Sequence, residues 1–118
     1  VIDSTLQVDR ILNGAPWTIM DMHFIILAVC KITKVRQSDI MAKNSGDGHV
    51  IRARQLVHYF ARFRTNLTLM KIGEATGGFD YSTVIYSCSN IQKLYEFDKE
   101  TRLFVDKIEN ELINTFKR

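Results

Sequence analysis

The sequence lacks the hallmarks of several functional classes. Its two cysteines, Cys30 and Cys88, lie far apart and form no CxxC pair. No basic n-region with an apolar stretch and cleavage site opens the chain, so nothing supports a secretory disulfide framework. Each cysteine is expected to pack as a small buried apolar residue, and the reducing cytoplasm is the expected compartment. The longest apolar run, Phe24 to Cys30, is too short to cross a bilayer and reads as a core helix. The glycines at 46 and 48 lack the downstream Gly-Lys-Ser/Thr of a phosphate loop. His23, His49, His58 and the two cysteines fall in no triad or metal-ligand spacing. An enzyme is therefore the weakest reading, and no cofactor or metal is expected. No convincing strand pattern and no internal repeat are present.

Acid is missing from one long stretch. Between residues 50 and 71 there is no Asp or Glu, while Arg52, Arg54, Arg62, Arg64 and Lys71 supply five cations. The whole chain carries a net charge of only +3, so positive charge is concentrated here. An acid-free basic segment is the electrostatic footprint of a duplex binder, though a solvated basic helix face gives the same composition.

At 118 residues, 46% hydrophobic and 25% charged, the chain has the size and balance of one globular domain with a single core. Residues 1–17 read as an N-terminal extension: a short segment, Leu6 to Leu12, closed by the turn signal Asn13-Gly14-Ala15-Pro16. The domain proper is 18–118. Thr18 is the candidate cap of a helix to about Thr33, with Ile19, Met22, Ile26 and Val29 at helical spacing. A short helical turn over Val35–Met41 has Ser38 as a candidate cap. Residues 43–49 read as a loop rich in turn formers. Val50 to Arg64 is an amphipathic helix whose inner stripe is Leu56, Phe60 and Phe63, flanked by Val57 and Tyr59, with the arginines mostly off that stripe. A last helix starts at Asp98 or Thr101 and points Leu103, Phe104, Ile108, Leu112 and Phe116 inward. The fold class is all-α, an orthogonal bundle of five to six helices.

The most informative string is residues 72–84, Ile-Gly-Glu-Ala-Thr-Gly-Gly-Phe-Asp-Tyr-Ser-Thr-Val. A short helix, Leu69 to Thr76, stops at Gly77-Gly78. A second opens with Asp80 as N-cap and Tyr81, Ser82 and Thr83 in its first turn, running to about Phe97 with Val84, Cys88 and Ile91 inward. Helix, glycine turn and helix with small hydrogen-bonding side chains at the second start is a helix-turn-helix, which aims those residues at base edges in the major groove.

These residues resemble a known family. Arg54-Gln55, then Ile72-Gly73-Glu74-Ala75, then Gly77-Gly78-x-Asp80-x-Ser82-Thr83-Val84, together with Ser38-Asp39-Ile40-Met41 upstream, resemble the C-terminal DNA-binding domain of the bacterial replication initiator DnaA. The resemblance covers roughly residues 18–116. It implies a Trp-repressor-like fold and a double-stranded DNA partner. It implies base contacts from Asp80, Ser82 and Thr83, and Tyr81 beside them is expected to pack on a thymine methyl or bond a phosphate. It implies backbone contacts from Arg54, Gln55, Arg62, Thr68 and Leu69, and the acid-free basic segment adds Arg52, Arg64 and Lys71 to the expected backbone contacts, with Tyr86 on the second helix. With four to six phosphates neutralised, the log–log salt slope of binding would be roughly −4 to −5. The chain departs from the family pattern at Phe79, where the family has Arg, at Tyr81, where it has His, and at Tyr86. Its 43–49 loop has one acid and no Arg where the family has a basic cluster that enters the minor groove. The chain is expected to be the end fragment of a longer protein or a standalone module, with a dimer or further domain as the second reading head. The alternative is a protein-interaction domain that keeps the fold without specific DNA binding, with Phe79 and Tyr81 as exposed aromatic contacts.

Overall fold

The structure is a computed structural model that describes residues 21–43 and 46–116. The expected 1–17 extension, the Thr18 cap, Ile19 and residues 44–45 of the loop lie outside the described residues. Six helices and no strand are present among the described residues: α1 (Met22–Thr33), α2 (Gln37–Met41), α3 (Gly48–Arg64), α4 (Leu69–Ala75), α5 (Tyr81–Phe97) and α6 (Lys99–Phe116). The all-α fold is as the sequence predicts.

Several helix starts shift. The N-cap of α1 is Asp21, whose carboxylate accepts from the His23 N–H at 3.1 Å. Helix α2 begins after Arg36, and Ser38 sits inside it rather than capping it. The expected loop ends early because Asp47 caps α3 at Gly48, accepting from the His49 N–H at 2.8 Å. An Asp between two glycines reads as a turn, yet its side chain satisfies an orphan first-turn donor and so starts a helix. His49 then lies in α3's first turn, where its Nε2 is 2.9 Å from the Thr33 carbonyl oxygen. Asp98 precedes α6 and accepts from the Thr101 N–H at 3.0 Å and its hydroxyl at 2.6 Å.

Helix α3 is the central element. It packs against α5 and α1, while α6 closes the bundle against α1 and α5. Leu56, Val57, Phe60 and Ala61 of α3 are fully buried against Ile25 and Val29 of α1, Ile72 of α4, and Val84, Cys88 and Ile91 of α5. Each large apolar side chain buried this way contributes roughly 1.5–3 kcal/mol. In α6, Val105, Ile108 and Leu112 are the core residues, whereas Leu103 is exposed, contrary to expectation. Leu103 precedes Ile108 by five positions, a spacing that turns it off the inward stripe. Cys88 is buried and Cys30 half-buried, as expected of small apolar residues, and burial raises both thiols above their ordinary range.

Candidate nucleic-acid interface

The helix-turn-helix is α4, the turn and α5. Thr68 caps α4, its hydroxyl accepting from the Lys71 N–H at 3.2 Å. The helix ends because the Gly73 carbonyl takes the N–H groups of Gly78 at 3.1 Å and Phe79 at 2.9 Å, folding the chain back. Two glycines make that possible. Gly77 has φ +114°, and a Cβ there would come within 2.5 Å of the Met41 carbonyl oxygen. A Cβ on Gly73 would collide with the Phe79 carbonyl oxygen. The turn is thus pressed against its own first helix on one side and the end of α2 on the other.

Asp80 then starts α5. Its Oδ1 accepts from the Thr83 N–H at 3.0 Å, the Ser82 hydroxyl at 2.6 Å and the Thr83 hydroxyl at 3.3 Å. These bonds, the Ser82 hydroxyl foremost, hold the Asp80 carboxyl below its ordinary pKa. Asp80, Tyr81 and Ser82 are exposed and Thr83 half-buried, so the four predicted base-contacting residues share one outward first turn. Tyr86 follows one turn on, 63% exposed, with Ile85 and Met70 also open to solvent.

The predicted backbone-contacting set divides. Arg62, Thr68 and Lys71 are exposed, and Leu69 is half-buried. The other cations turn inward. Arg54 is 6% exposed: its Nε donates to the Ile40 carbonyl at 2.7 Å, and its Nη2 donates to those of Asp39 at 3.1 Å and Ala42 at 2.8 Å. Its guanidinium also lies 4.9 Å from the Phe79 ring centroid. Gln55 is buried and accepts from Asn90 Nδ2 at 2.9 Å. Arg64 is buried and paired with Glu109. Arg52 is half-buried and donates to Thr101 Oγ1 at 2.6 Å and Asp98 at 3.3 Å. The expectation that the arginines lie off the inner stripe is therefore corrected for Arg54 and Arg64. Arg54, His58, Ala61 and Thr65 recur at intervals of three and four, a second inward strip beside Leu56 and Phe60, and that spacing is the signal that could have found Arg54; Arg64, four residues after Phe60, continues the row of Val57 and Phe60.

Two further residues bear on the turn. Phe79 is half-buried rather than freely exposed as expected, in contact with Arg54 and with Lys43, whose Nζ is 5.7 Å from the ring centroid. That places exposed Lys43 beside the turn, a cation that sequence reasoning assigned only to the loop. His58 is fully buried and hydrogen-bonded to Ser87 and Thr76. Among the described residues no His, Cys, Asp and Glu cluster is arranged to hold a metal ion. Among the described residues no helix is long and apolar enough to cross a membrane.

The family described as bacterial dnaA protein helix-turn-helix matches residues 22–91, more than half of the chain, from the start of α1 through most of α5. The chain belongs to the bacterial DnaA helix-turn-helix family. Relatives carry the name chromosomal replication initiator protein DnaA. The one from Thermodesulfovibrio yellowstonii is 37% identical over 74% of this chain and 20% of its own length. The one from Synechocystis is 40% identical over 65% of this chain and 17% of its own. That of Streptococcus thermophilus is 31% identical over 87% of this chain and 22% of its own. The chain thus spans about a fifth of the length of these DnaA relatives. Membership supports a DNA-binding module built on the α4–turn–α5 unit.

Proposed function

We propose that this DnaA-family chain is a sequence-specific double-stranded DNA-binding module, rather than a catalyst, and that α5 enters the major groove. The observation that carries the reading is the first turn of α5: Asp80, Tyr81 and Ser82 exposed together, with Thr83 beside them, directly after a glycine turn. Ser82 and Thr83 hydroxyls bond base edges, the Thr83 methyl packs on a thymine methyl, and Asp80 Oδ2 accepts from a cytosine amino group while Oδ1 caps the helix. Tyr81 packs on a thymine methyl or bonds a phosphate. Phosphate contacts come from Arg62, Lys71, Thr68 and Tyr86, with Lys43 at the edge of the turn. Within a longer protein such a module would supply the DNA address of replication initiation.

Arg52, Arg54, Gln55 and Arg64 support the surface from beneath instead of touching phosphates. Among the described residues, Arg62, Lys71 and Lys43 then remain as outward cations around the turn, so the salt slope falls to roughly −2 to −3 rather than −4 to −5. Fluorescence anisotropy of mixed-sequence duplex across a salt series measures it. A slope steeper than about −4 would return the inward arginines to the phosphate-contacting set.

A second reading has its own observation. The outward face of the same unit exposes Met70, Tyr81, Ile85 and Tyr86, at 60, 55, 41 and 63%. That much apolar and aromatic surface also suits a protein contact. Absence of duplex binding at low salt would favour it. A selection from random duplexes reports affinity and base preference in one experiment.

A further inference from the structure

His58 has no part in the DNA contacts above, yet it is the only fully buried histidine among the described residues and sits beneath the turn. Its Nδ1 is 2.8 Å from Ser87 Oγ and its Nε2 is 2.8 Å from Thr76 Oγ1. The Thr76 hydroxyl donates its one proton to the Ile72 carbonyl at 2.9 Å, with the Gly73 carbonyl at 3.2 Å. Only lone pairs of Thr76 therefore remain to face the imidazole. Nε2 must carry the ring proton, and Nδ1, bare, accepts from the Ser87 hydroxyl. The relay runs one way: Ser87 to His58 to Thr76 to the Ile72 carbonyl. A neutral ring satisfies every atom in it. The Phe79 ring lies T-shaped to the imidazole, its centroid 5.9 Å away, and burial together with the nearby Arg54 guanidinium disfavours an imidazolium.

The three side chains belong to three parts of the fold. His58 is on α3, Thr76 is the C-cap of α4, and Ser87 is on the inner face of α5. One turn earlier on α3, Gln55 makes another polar tie to α5 through Asn90, and the Cys88 thiol donates to the His58 carbonyl at 3.6 Å. Apolar contacts such as Val84 and Ile91 hold α5 down but tolerate small slides and rotations, since dispersion is non-directional. Hydrogen bonds do not, because they weaken steeply with angle.

We propose that His58 is a positioning residue: as the neutral Nε2–H tautomer it fixes the angle and register at which α5 leaves the turn, and so the placement of Asp80, Ser82 and Thr83. The proposal rests on the DNA reading above for its functional consequence. Phosphate contacts by flexible cations tolerate a shift of a few tenths of an ångström, and base-edge hydrogen bonds do not. Loss of the relay therefore acts on discrimination between sequences and leaves non-specific affinity in place.

The test begins on the free protein. Long-range ¹⁵N–¹H spectra of the imidazole should show His58 protonated at Nε2 and bare at Nδ1, and the opposite tautomer would overturn the relay. The ratio of affinities for a selected duplex and a mixed-sequence duplex is then measured for wild type, His58→Leu, Ser87→Ala and the double variant. His58→Leu should lower that ratio about tenfold, a loss on the scale of one base contact, with non-specific affinity changed by less than about twofold. Ser87→Ala should move it the same way by less, and the double variant should equal His58→Leu, since both break one relay. A folded His58→Leu with unchanged ratio, or additive effects, overturns the proposal. Should His58→Leu not fold, Ser87→Ala and the pair Thr76→Val and Thr76→Ser carry the test, with Thr76→Ser expected to retain discrimination that Thr76→Val loses. If wild type itself shows no base preference, the DNA reading fails separately. Positioning is then read from hydrogen exchange: Ser87→Ala should lower the protection of the Thr83 and Val84 amides relative to those of α3, and unchanged protection overturns it.

Discussion

Asp80 and His58 are both hydrogen-bonded to hydroxyls, and their opposite surroundings give them different work. Asp80 is exposed, and the bonds from Ser82 and Thr83 favour its anion. His58 is buried, and desolvation, with Arg54 nearby, pushes its pKa from 6.5 down to about 4. The linkage sign follows. Between about pH 4 and 6.5 the unfolded chain binds a proton at His58 that the folded chain refuses. Stability is complete above pH 6.5 and declines as pH falls toward 4, by about 3 kcal/mol in all. Thermal unfolding across that range should show the decline in wild type, and His58→Leu should flatten it. Asp80 and Asp98, both held below the ordinary carboxylate range, add losses in the same direction at lower pH. At the same scale, Thr83→Ala should cost roughly 1–3 kcal/mol on a preferred site while leaving mixed-sequence binding nearly intact. An unchanged preference across a base-substitution series would show that α5 does not read bases.

Helix α3 carries two kinds of arginine that composition does not separate. Arg54 spends its donors on the carbonyls of Asp39, Ile40 and Ala42, so it anchors the end of α2 beneath the turn. Arg62 is exposed, with its guanidinium 5.7 Å from the Phe63 ring centroid. Arg54→Ala should therefore destabilise the fold by roughly 2–4 kcal/mol, since the buried Ile40 carbonyl and the part-buried Asp39 and Ala42 carbonyls lose a charged donor. Arg62→Ala should leave the denaturant midpoint nearly unchanged and weaken binding to all duplexes alike. Chemical denaturation and anisotropy on the two variants make the comparison, and equal stability losses would refute the division. The loop before α3 offers the converse change. Gly48 is now the first residue of α3, which leaves Gly46 as the position for a graft: a side chain there meets open space at ordinary φ. Gly46→Arg should tighten binding to AT-rich duplex, whose narrow minor groove attracts Arg, and not to GC-rich duplex. No difference between the two duplexes would place this loop away from the groove.

One first turn of one helix reads about three to four base pairs. On the proposed reading that is too little to find a single site in a genome, and a second reading head would be required. A second copy or a further domain of a longer chain would supply it, consistent with relatives of which this chain matches only about a fifth. Binding to duplexes carrying one or two copies of the selected site, spaced by whole helical turns, measures this. Cooperative gain on the double site identifies a second copy as the partner. Strictly independent binding points to a linked domain.

The residues that start and stop helices acted locally, and the sequence alone therefore determined much of this protein. Gly77-Gly78 breaks α4 because the chain there needs φ values that side chains avoid, and Asp80 caps α5 through its own neighbours. Those two features and their spacing to Arg54-Gln55 carried the helix-turn-helix and the family before any packing was known. Helix starts at Asp21 and Asp47 were missed because several capping residues competed nearby, and only backbone geometry selects among them. Which cations face solvent was decided by the tertiary structure. Arg54, Arg64 and Arg62 share one helix and one charge, and their fates differ because carbonyls at the end of α2 and Glu109 on α6 wait for two of them. The His58 relay is likewise a product of the fold. Thr76 and Ser87 reach the imidazole only when α3, α4 and α5 meet, and no local pattern in the chain encodes that meeting.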